Sequence, residues 1–265
     1  MNIEKSQIVA CPICQHPSAD VFRTTHVSVA KCQSNACGHL FVPDAAQGDG
    51  IQTHINPEAD WDMFVDRNRR LVDVLLRKGM LWNGCRVLDF GSGSGHVARS
   101  IHAILSSVKI TCVEADRKAS EFLREKGFDV HECLSSVRGT YDFVSLIEVI
   151  EHIQDPISIL NECRKLLDIK GHLFFSTPCG ELQNGSRRTN AYDTKEHIHF
   201  FTEKSLRNAL GKAGFGPIKL ETLNQLYPQR QGLGRSIDVA KDILRPLRAR
   251  LFGHHHLVGF AELRR

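Results

Sequence analysis

Four cysteines stand in two short pairs near the start of the chain, Cys11-Pro-Ile-Cys14 and Cys32-Gln-Ser-Asn-Ala-Cys37, with 17 residues between the pairs. Two tight turns that each offer two soft thiolates suit the tetrahedral preference of Zn²⁺ once the segment between them folds back as a hairpin. That segment is too short to bury four unrelated thiols in a core of its own. Cys11, Cys14, Cys32 and Cys37 are therefore the candidate metal ligands, with His16 and His39 as substitutes for one thiolate. A closed set of four thiolates leaves no open position, which predicts a structural rather than a catalytic metal. Further along, Glu148-Val-Ile-Glu151-His152 places two carboxylates and an imidazole at i, i+3 and i+4, one face of the turn if the stretch is helical. A second histidine set, Lys195-Glu196-His197-Ile198-His199-Phe200-Phe201-Thr202, lies 43 residues beyond the first. His197 there either orients a ligand or bonds the loop backbone.

Between these sets runs a glycine turn, Val87-Leu-Asp89-Phe-Gly91-Ser92-Gly93-Ser-Gly95, in which three glycines let a ligand touch the backbone. Nicotinamide and flavin proteins favour G-x-G-x-x-G; the spacing here is G-x-G-x-G, with an acid two residues before the first glycine. Asp89 would repel a pyrophosphate. It suits a ligand with positive charge and no phosphate, and S-adenosylmethionine, with an ammonium and a sulfonium, is such a ligand. Glu114, 19 residues past Gly95, falls at the carboxyl end of the next predicted strand, where an acid accepts hydrogen bonds from ribose hydroxyls.

The elements that must position these residues follow from periodicity. Trp61, Phe64, Val65, Leu71, Val72, Leu75 and Leu76 recur at helical spacing, with Gly79 as a stop. From Cys85 onward, short apolar runs alternate with helical stretches: strands at 85–90, 109–115, 129–133, 141–147 and 172–177, helices at 96–105, from about 119 to Gly127, and after Asp155-Pro156 up to Gly171. A helix from Thr202 to Gly214, an extended 217–225 and a last strand at 256–264 complete the chain. This βαβα alternation predicts an α/β fold, a parallel sheet with helices on both faces.

The chain between Leu81 and Phe215 resembles the class I S-adenosylmethionine-dependent methyltransferases, in Val87 to Gly95, Glu114, Asp142, Glu148 to Pro156, Lys170-Gly171 and Ser176-Thr-Pro178. The resemblance implies a Rossmann-like seven-stranded sheet of order 3-2-1-4-5-7-6 with strand seven antiparallel. It implies that Asp89, Gly91, Ser92, Gly93, Gly95, Glu114, Ala115 and Glu148 meet the donor, with Asp89 and the glycine turn at its amino-acid end and Glu114 on the ribose. Many relatives have cysteine or alanine where Ser92 stands, a change that leaves backbone contacts unaffected. The acid that in many relatives meets the adenine has no clear counterpart among Glu132, Cys133 and Leu134. The E-x-x-E-H stretch is similar to that of ubiquinone-pathway O-methyltransferases. Two roles are implied: a divalent ion such as Mg²⁺ held by Glu148, Glu151 and His152, or His152 as the base that takes the acceptor's proton. A third reading has the two acids complement a helix amino end while His152 packs beside the donor. His197 lies in a stretch similar to the E-H-x-x-F-T found at the substrate entrance of related enzymes.

The domains expected are a zinc-binding module at 1–44, a linker and helix at 45–80, and a methyltransferase domain at 81–265 with a basic amphipathic insertion at 226–255. The function expected is methyl transfer to a hydroxyl or carbon of a small-molecule, sugar-nucleotide or lipid-linked saccharide acceptor. The alternatives are an RNA base methyltransferase and a non-catalytic S-adenosylmethionine-binding protein. Net charge is +4, yet Gln229–Arg265 carries eight Lys or Arg against three acids, so the rest of the chain sums to −1. That basic stretch suits phosphates, but Arg23 and Lys31 are the only cations between Cys11 and Cys37, which weakens a nucleic-acid partner. Residues 235–252 pair an apolar stripe with cations and are expected to roof the site, with transient membrane-surface contact as the lesser reading. Arg187 and Arg188 fall in a polar stretch long enough for an acceptor loop. No apolar run approaches the roughly 18 residues of a membrane span, and the first residues lack the apolar core of a signal peptide. The expected location is cytoplasmic, with the nine cysteines serving metal binding and packing rather than disulfides.

Overall fold

A computed structural model of the chain describes residues 9–23, 27–43, 57–180, 196–221 and 256–264. The part of the expected 45–80 linker and helix before residue 57, Arg187 and Arg188, and the 226–255 insertion with its stripe lie outside the described residues. Five helices are described: α1 (Pro57–Arg77), α2 (His96–Ile104), α3 (Arg117–Glu125), α4 (Pro156–Leu166) and α5 (Glu203–Lys212). Among the described residues, none is long and apolar enough to cross a membrane.

Seven strands form the main sheet: β5 (Arg86–Phe90), β6 (Lys109–Val113), β7 (Asp129–His131), β8 (Tyr141–Ile147), β9 (Leu167–Pro178), β11 (Phe215–Glu221) and β12 (His256–Leu263). Their order is β7-β6-β5-β8-β9-β12-β11, with β12 antiparallel to both neighbours, which is the 3-2-1-4-5-7-6 sheet expected. Strand alternation divides the core between two faces. Val87, Phe143, Phe174 and Phe260 turn towards Leu71 and Leu75 of α1, Val97 and Ile101 of α2 and Leu123 of α3. Leu88, Val144, Leu173 and Phe175 turn towards Leu160 and Cys163 of α4 and Leu206 and Leu210 of α5.

Local chemistry explains most element ends. Asp116 and Asp155 cap α3 and α4 through bonds from the Ala119 and Ser158 amides, and Pro156 opens α4 with its φ already set. Thr202 and Ser205 form a reciprocal capping pair at the start of α5. One expected boundary moves: α4 stops at Leu166 and β9 begins directly at Leu167, so Gly171 lies within the strand rather than beyond the helix. A Cβ on Gly171 would come within 3.0 Å of the Asp142 carbonyl, so the strand passes its neighbour too closely for a side chain.

The amino-terminal part is a second sheet of β1 (Val9–Ala10), β2 (Pro17–Arg23), β3 (Ser28–Cys32) and β4 (Leu40–Phe41), all antiparallel. Its fifth strand is β10 (His199–Phe200), which comes from the chain beyond the main sheet's β9 and pairs with β4. Cys11, Ile13, Cys32, Cys37 and Phe41 belong to the same apolar cluster as Phe201, Leu206 and Leu210. The small sheet therefore shares part of its core with the large one, while Val29, Leu40 and Phe200 form a cluster of their own.

Candidate active site

The carboxyl edge of the parallel strands collects the predicted residues. After β5, Gly91, Gly93 and Gly95 adopt φ of 71°, 54° and 75°, a region that strains any residue with a Cβ. A Cβ at Gly91 would also run into Val149. The turn is pinned to the next strand: the Gly91 and Ser92 amides donate to the Val113 carbonyl at 2.8 and 3.2 Å. Glu114 follows Val113 directly and turns back, its Oε2 accepting from the Gly93 amide at 2.6 Å and its Oε1 from the Asp116 amide at 2.8 Å. Each carboxylate oxygen has two lone pairs, so one on each remains for a diol. Ala115 beside it is exposed.

Asp89 sits beneath this turn rather than in it. It is 3% exposed, and its Oδ1 accepts from the Ser145 hydroxyl at 2.6 Å. Burial pushes its carboxyl up to about 6, against the Ser145 bond and the Ala98 amide, with the nearby Glu114 charge adding to the rise. A buried acid poised there gains from a cation above it. Of the three residues considered for the adenine, Leu134 is buried and Glu132 and Cys133 are exposed.

After β8 the chain does not continue as a helix. Glu148 has φ 55°, and only Ile150–His152 form a single 3₁₀ turn, so the expected shared face does not exist. Glu148 swings towards β9 and β12: the Ser176 hydroxyl donates to its Oε1 at 2.6 Å, and its Oε2 lies 3.4 Å from His256 Nε2. Glu151 turns inward, 1% exposed, with neither oxygen in hydrogen-bond geometry with a partner. Burial, and then the Glu148 charge, push its carboxyl up to about 8, so it holds its proton at neutral pH. His152 is half-buried, and its Nδ1 lies 2.9 Å from the Glu196 carbonyl. Since a carbonyl only accepts, Nδ1 carries the hydrogen, and in the neutral ring the lone pair is on Nε2. His197 packs edge-on against that ring, with centroids 4.7 Å apart. Glu151, His152 and His197 bring ligand atoms within 4.8 Å of one another, so the cluster that exists includes His197 and leaves out Glu148. His256 and Ser176 complete Glu148's surroundings. The sequence signal for His256 lay in its position, since the first residue of an antiparallel strand pairs with the last of its neighbour, here Pro178.

The four cysteines converge as their spacing predicts. Cys11 and Cys37 sulfurs lie 3.9 Å apart, those of Cys14 and Cys32 3.3 Å, and all four within 4.8 Å. The hydrogen bond from Cys37 pushes the Cys11 thiol down to about 5, while burial pushes Cys32 up to about 11 and its bond to Cys11 raises Cys37. Four sulfurs this close cannot all lose their protons unless a cation sits among them, and a tetrahedral dication fits that requirement. Neither histidine offered as a substitute joins them. His16 is exposed with Nδ1 3.4 Å from the Cys14 carbonyl, and His39 is wholly buried against Ser205 and His199.

A family model described as a methyltransferase domain matches residues 61–220, more than half of the chain. The ubiquinone biosynthesis O-methyltransferase of Vibrio cholerae is 31% identical over 117 residues, covering 40% of this chain and 47% of that protein. Its counterpart from Acinetobacter baylyi is 31% identical over 104 residues, 36% of this chain and 44% of its own length. The chain thus matches about half the length of these curated relatives. Among solved structures, a chain of the complex between the Haloferax volcanii Trm112 methyltransferase activator and a methyltransferase superposes with a TM-score of 0.55 at 14% identity, over 78% of this chain and 95% of that one. Haemonchus contortus phosphoethanolamine N-methyltransferase 2, solved with S-adenosyl-L-methionine, gives 0.53 at 15% identity over 74% and 52%. By its family match and by its sheet, the chain belongs to the methyltransferase-domain family and carries the class I S-adenosylmethionine-dependent methyltransferase fold.

Proposed function

We propose that the protein transfers a methyl group from S-adenosylmethionine to a hydroxyl of a small-molecule or saccharide acceptor, with His152 as the base. The observation that carries this reading is the state of His152: its Nδ1 is held by the Glu196 carbonyl at the carboxyl edge of the sheet, which leaves Nε2 as a proton acceptor. The O-methyltransferase names of the curated relatives support an oxygen acceptor. When bound, the donor supplies a methyl group made electrophilic by its sulfonium. The chain's own work is to hold and orient. The glycine turn offers close backbone approach, the free lone pairs of Glu114 suit the ribose diol, and the buried Asp89 charge favours the cationic end. His152 Nε2 would take the acceptor hydroxyl's proton as the oxygen bonds to the methyl carbon, the methyl–sulfur bond breaking and the sulfur leaving as a neutral thioether. Cys11, Cys14, Cys32 and Cys37 would hold a structural zinc.

The test is His152→Gln. Turnover should fall by about 10²–10⁴-fold, the range for general-base loss, with donor affinity kept. A radiolabelled methyl donor offered with phenols, sugar nucleotides and RNA identifies the acceptor, and label entering only RNA would replace the small-molecule reading. A second reading rests on the convergence of Glu151, His152 and His197, whose ligand atoms lie within 4.8 Å of one another: a divalent ion held by the three. Activity abolished by a chelator and restored by Mg²⁺ decides for it.

A further inference from the structure

The amino-terminal sheet reaches the site through one residue segment. Strand β10 has β4 as its sheet neighbour, with His199 opposite Phe41 and Phe200 opposite Leu40. At the next position, the Val42 amide donates to the Ile198 carbonyl at 3.0 Å, while the Ile198 amide donates to the Glu151 carbonyl, also at 3.0 Å. Ile198 is thus bonded to the cysteine module on one side and to the Glu151-His152 turn on the other. Glu196 and His197, immediately before it, are the groups that hold the Nδ1 and flank the ring of His152.

Beneath this backbone lies a polar strut. His39, two residues past Cys37, is wholly buried; its Nε2 lies 3.0 Å from His199 Nδ1 and its Nδ1 3.2 Å from the Ser205 hydroxyl. The ring stacks on Phe41 with centroids 5.9 Å apart and meets Phe201 at 4.8 Å. The Thr202 hydroxyl donates to the Cys37 carbonyl at 3.4 Å, closing the seam from the other direction. Adhesion alone would be served by carbon, since burying two imidazoles costs free energy that only well-formed hydrogen bonds offset. What paired imidazoles add is directional: they fix one register of the two segments.

We propose that His39 is a positioning residue for the methyl-transfer site: through His199 and the β4–β10 pairing it sets Glu196 and His197, and with them the orientation and tautomer of the His152 ring. The cysteine module is then a wall of the active site and not a tethered appendage. The effect on geometry stands by itself, and the effect on turnover rests on His152 being the base.

Two variants of the full chain separate the possibilities. His39→Phe keeps an aromatic ring against Phe41 and Phe201 and deletes both nitrogens, whereas His39→Gln keeps an amide able to bond Ser205 and His199. The readouts are the imidazole ¹⁵N shifts of His152, which report which ring nitrogen carries hydrogen, and the kinetic constants, with metal content and donor affinity measured alongside. In His39→Phe the Nδ1–H pattern of His152 should be lost and kcat should fall by about 10–100-fold with the KM for S-adenosylmethionine within about twofold, as misplacement near 1 Å produces. His39→Gln should restore most of both. An unchanged ¹⁵N pattern in a folded, metal-replete His39→Phe protein overturns the proposal whatever its activity. A lost pattern with parental kcat supports the strut and refutes His152 as the base. Should His39→Phe fail to fold, His199→Phe cuts the same bond from the other side and is judged by the same two measurements.

Discussion

Glu151 offers a prediction whose size follows from its surroundings. Its ordinary pKa is 4.5, and in the folded chain it rises to about 8, chiefly because burial penalises the carboxylate. Between those values the folded protein keeps a proton that the unfolded chain has lost. This group's contribution to stability is therefore greatest below pH 4.5 and declines as pH climbs to about 8. The decline is about 1.4 kcal/mol for each pH unit, or about 5 kcal/mol over the whole window. An interior that relaxes around the charge recovers part of this, so about 2 kcal/mol is the least expected. Glu151→Gln keeps the shape and an N–H donor in place of the acid O–H, and removes the titration. Urea denaturation of parent and variant at intervals from pH 5 to 9 should show the variant gaining at least about 2 kcal/mol on the parent as pH rises. Two stability curves that stay parallel across that range would refute the reasoning, because a carboxyl that ionises freely in the fold leaves no such slope.

Three further predictions concern the donor and the metal. Glu114→Ala removes a charge-assisted acceptor worth roughly 1.5–3 kcal/mol and should weaken S-adenosylmethionine binding by about one to two decades in calorimetry. In the parent, that affinity should decline as pH falls through about 6, where Asp89 takes up its proton and loses its attraction for a cation, and Asp89→Asn should abolish the pH dependence. Purified protein should contain close to one zinc per chain; Cys11→Ser and Cys37→Ser should each release it. Because Cys11 and Cys37 share a cluster with Phe201 and Leu206, the release should raise hydrogen exchange in α5 as well as in the first strands, while donor affinity persists. Exchange confined to the first forty or so residues would show the module to be independent.

The placement of the cysteine module bears on how the family's edge is used. Glu148, Glu151 and His152 adjoin β8, yet their surroundings are completed by Ser176 of β9, His256 of β12 and the 196–200 segment that joins the small sheet. If, as proposed, the acceptor binds there, a pocket assembled from so many segments can change by altering any one of them while the residues on β5 and β6 stay fixed.

What the sequence determined by itself is local. Short apolar runs and helical apolar patterns, the glycine turn, the cap at Asp155 and the paired cysteines each depend on residues within a few positions of one another, and each is present in the structure. The sheet order followed because alternating strands and helices admit few ways to close a parallel sheet. Tertiary structure alone decided where the side chains after β8 go. The positive φ of Glu148 breaks the assumed helix, which sends Glu148 to Ser176 and His256 and leaves Glu151 buried without a partner. His152 meets Glu196 across 44 residues of chain, and His39 meets Ser205 across 166. No spacing rule spans such separations, since those contacts depend on the register of β10 against β4 and of β12 against β9, and register is fixed only when both packed faces are present.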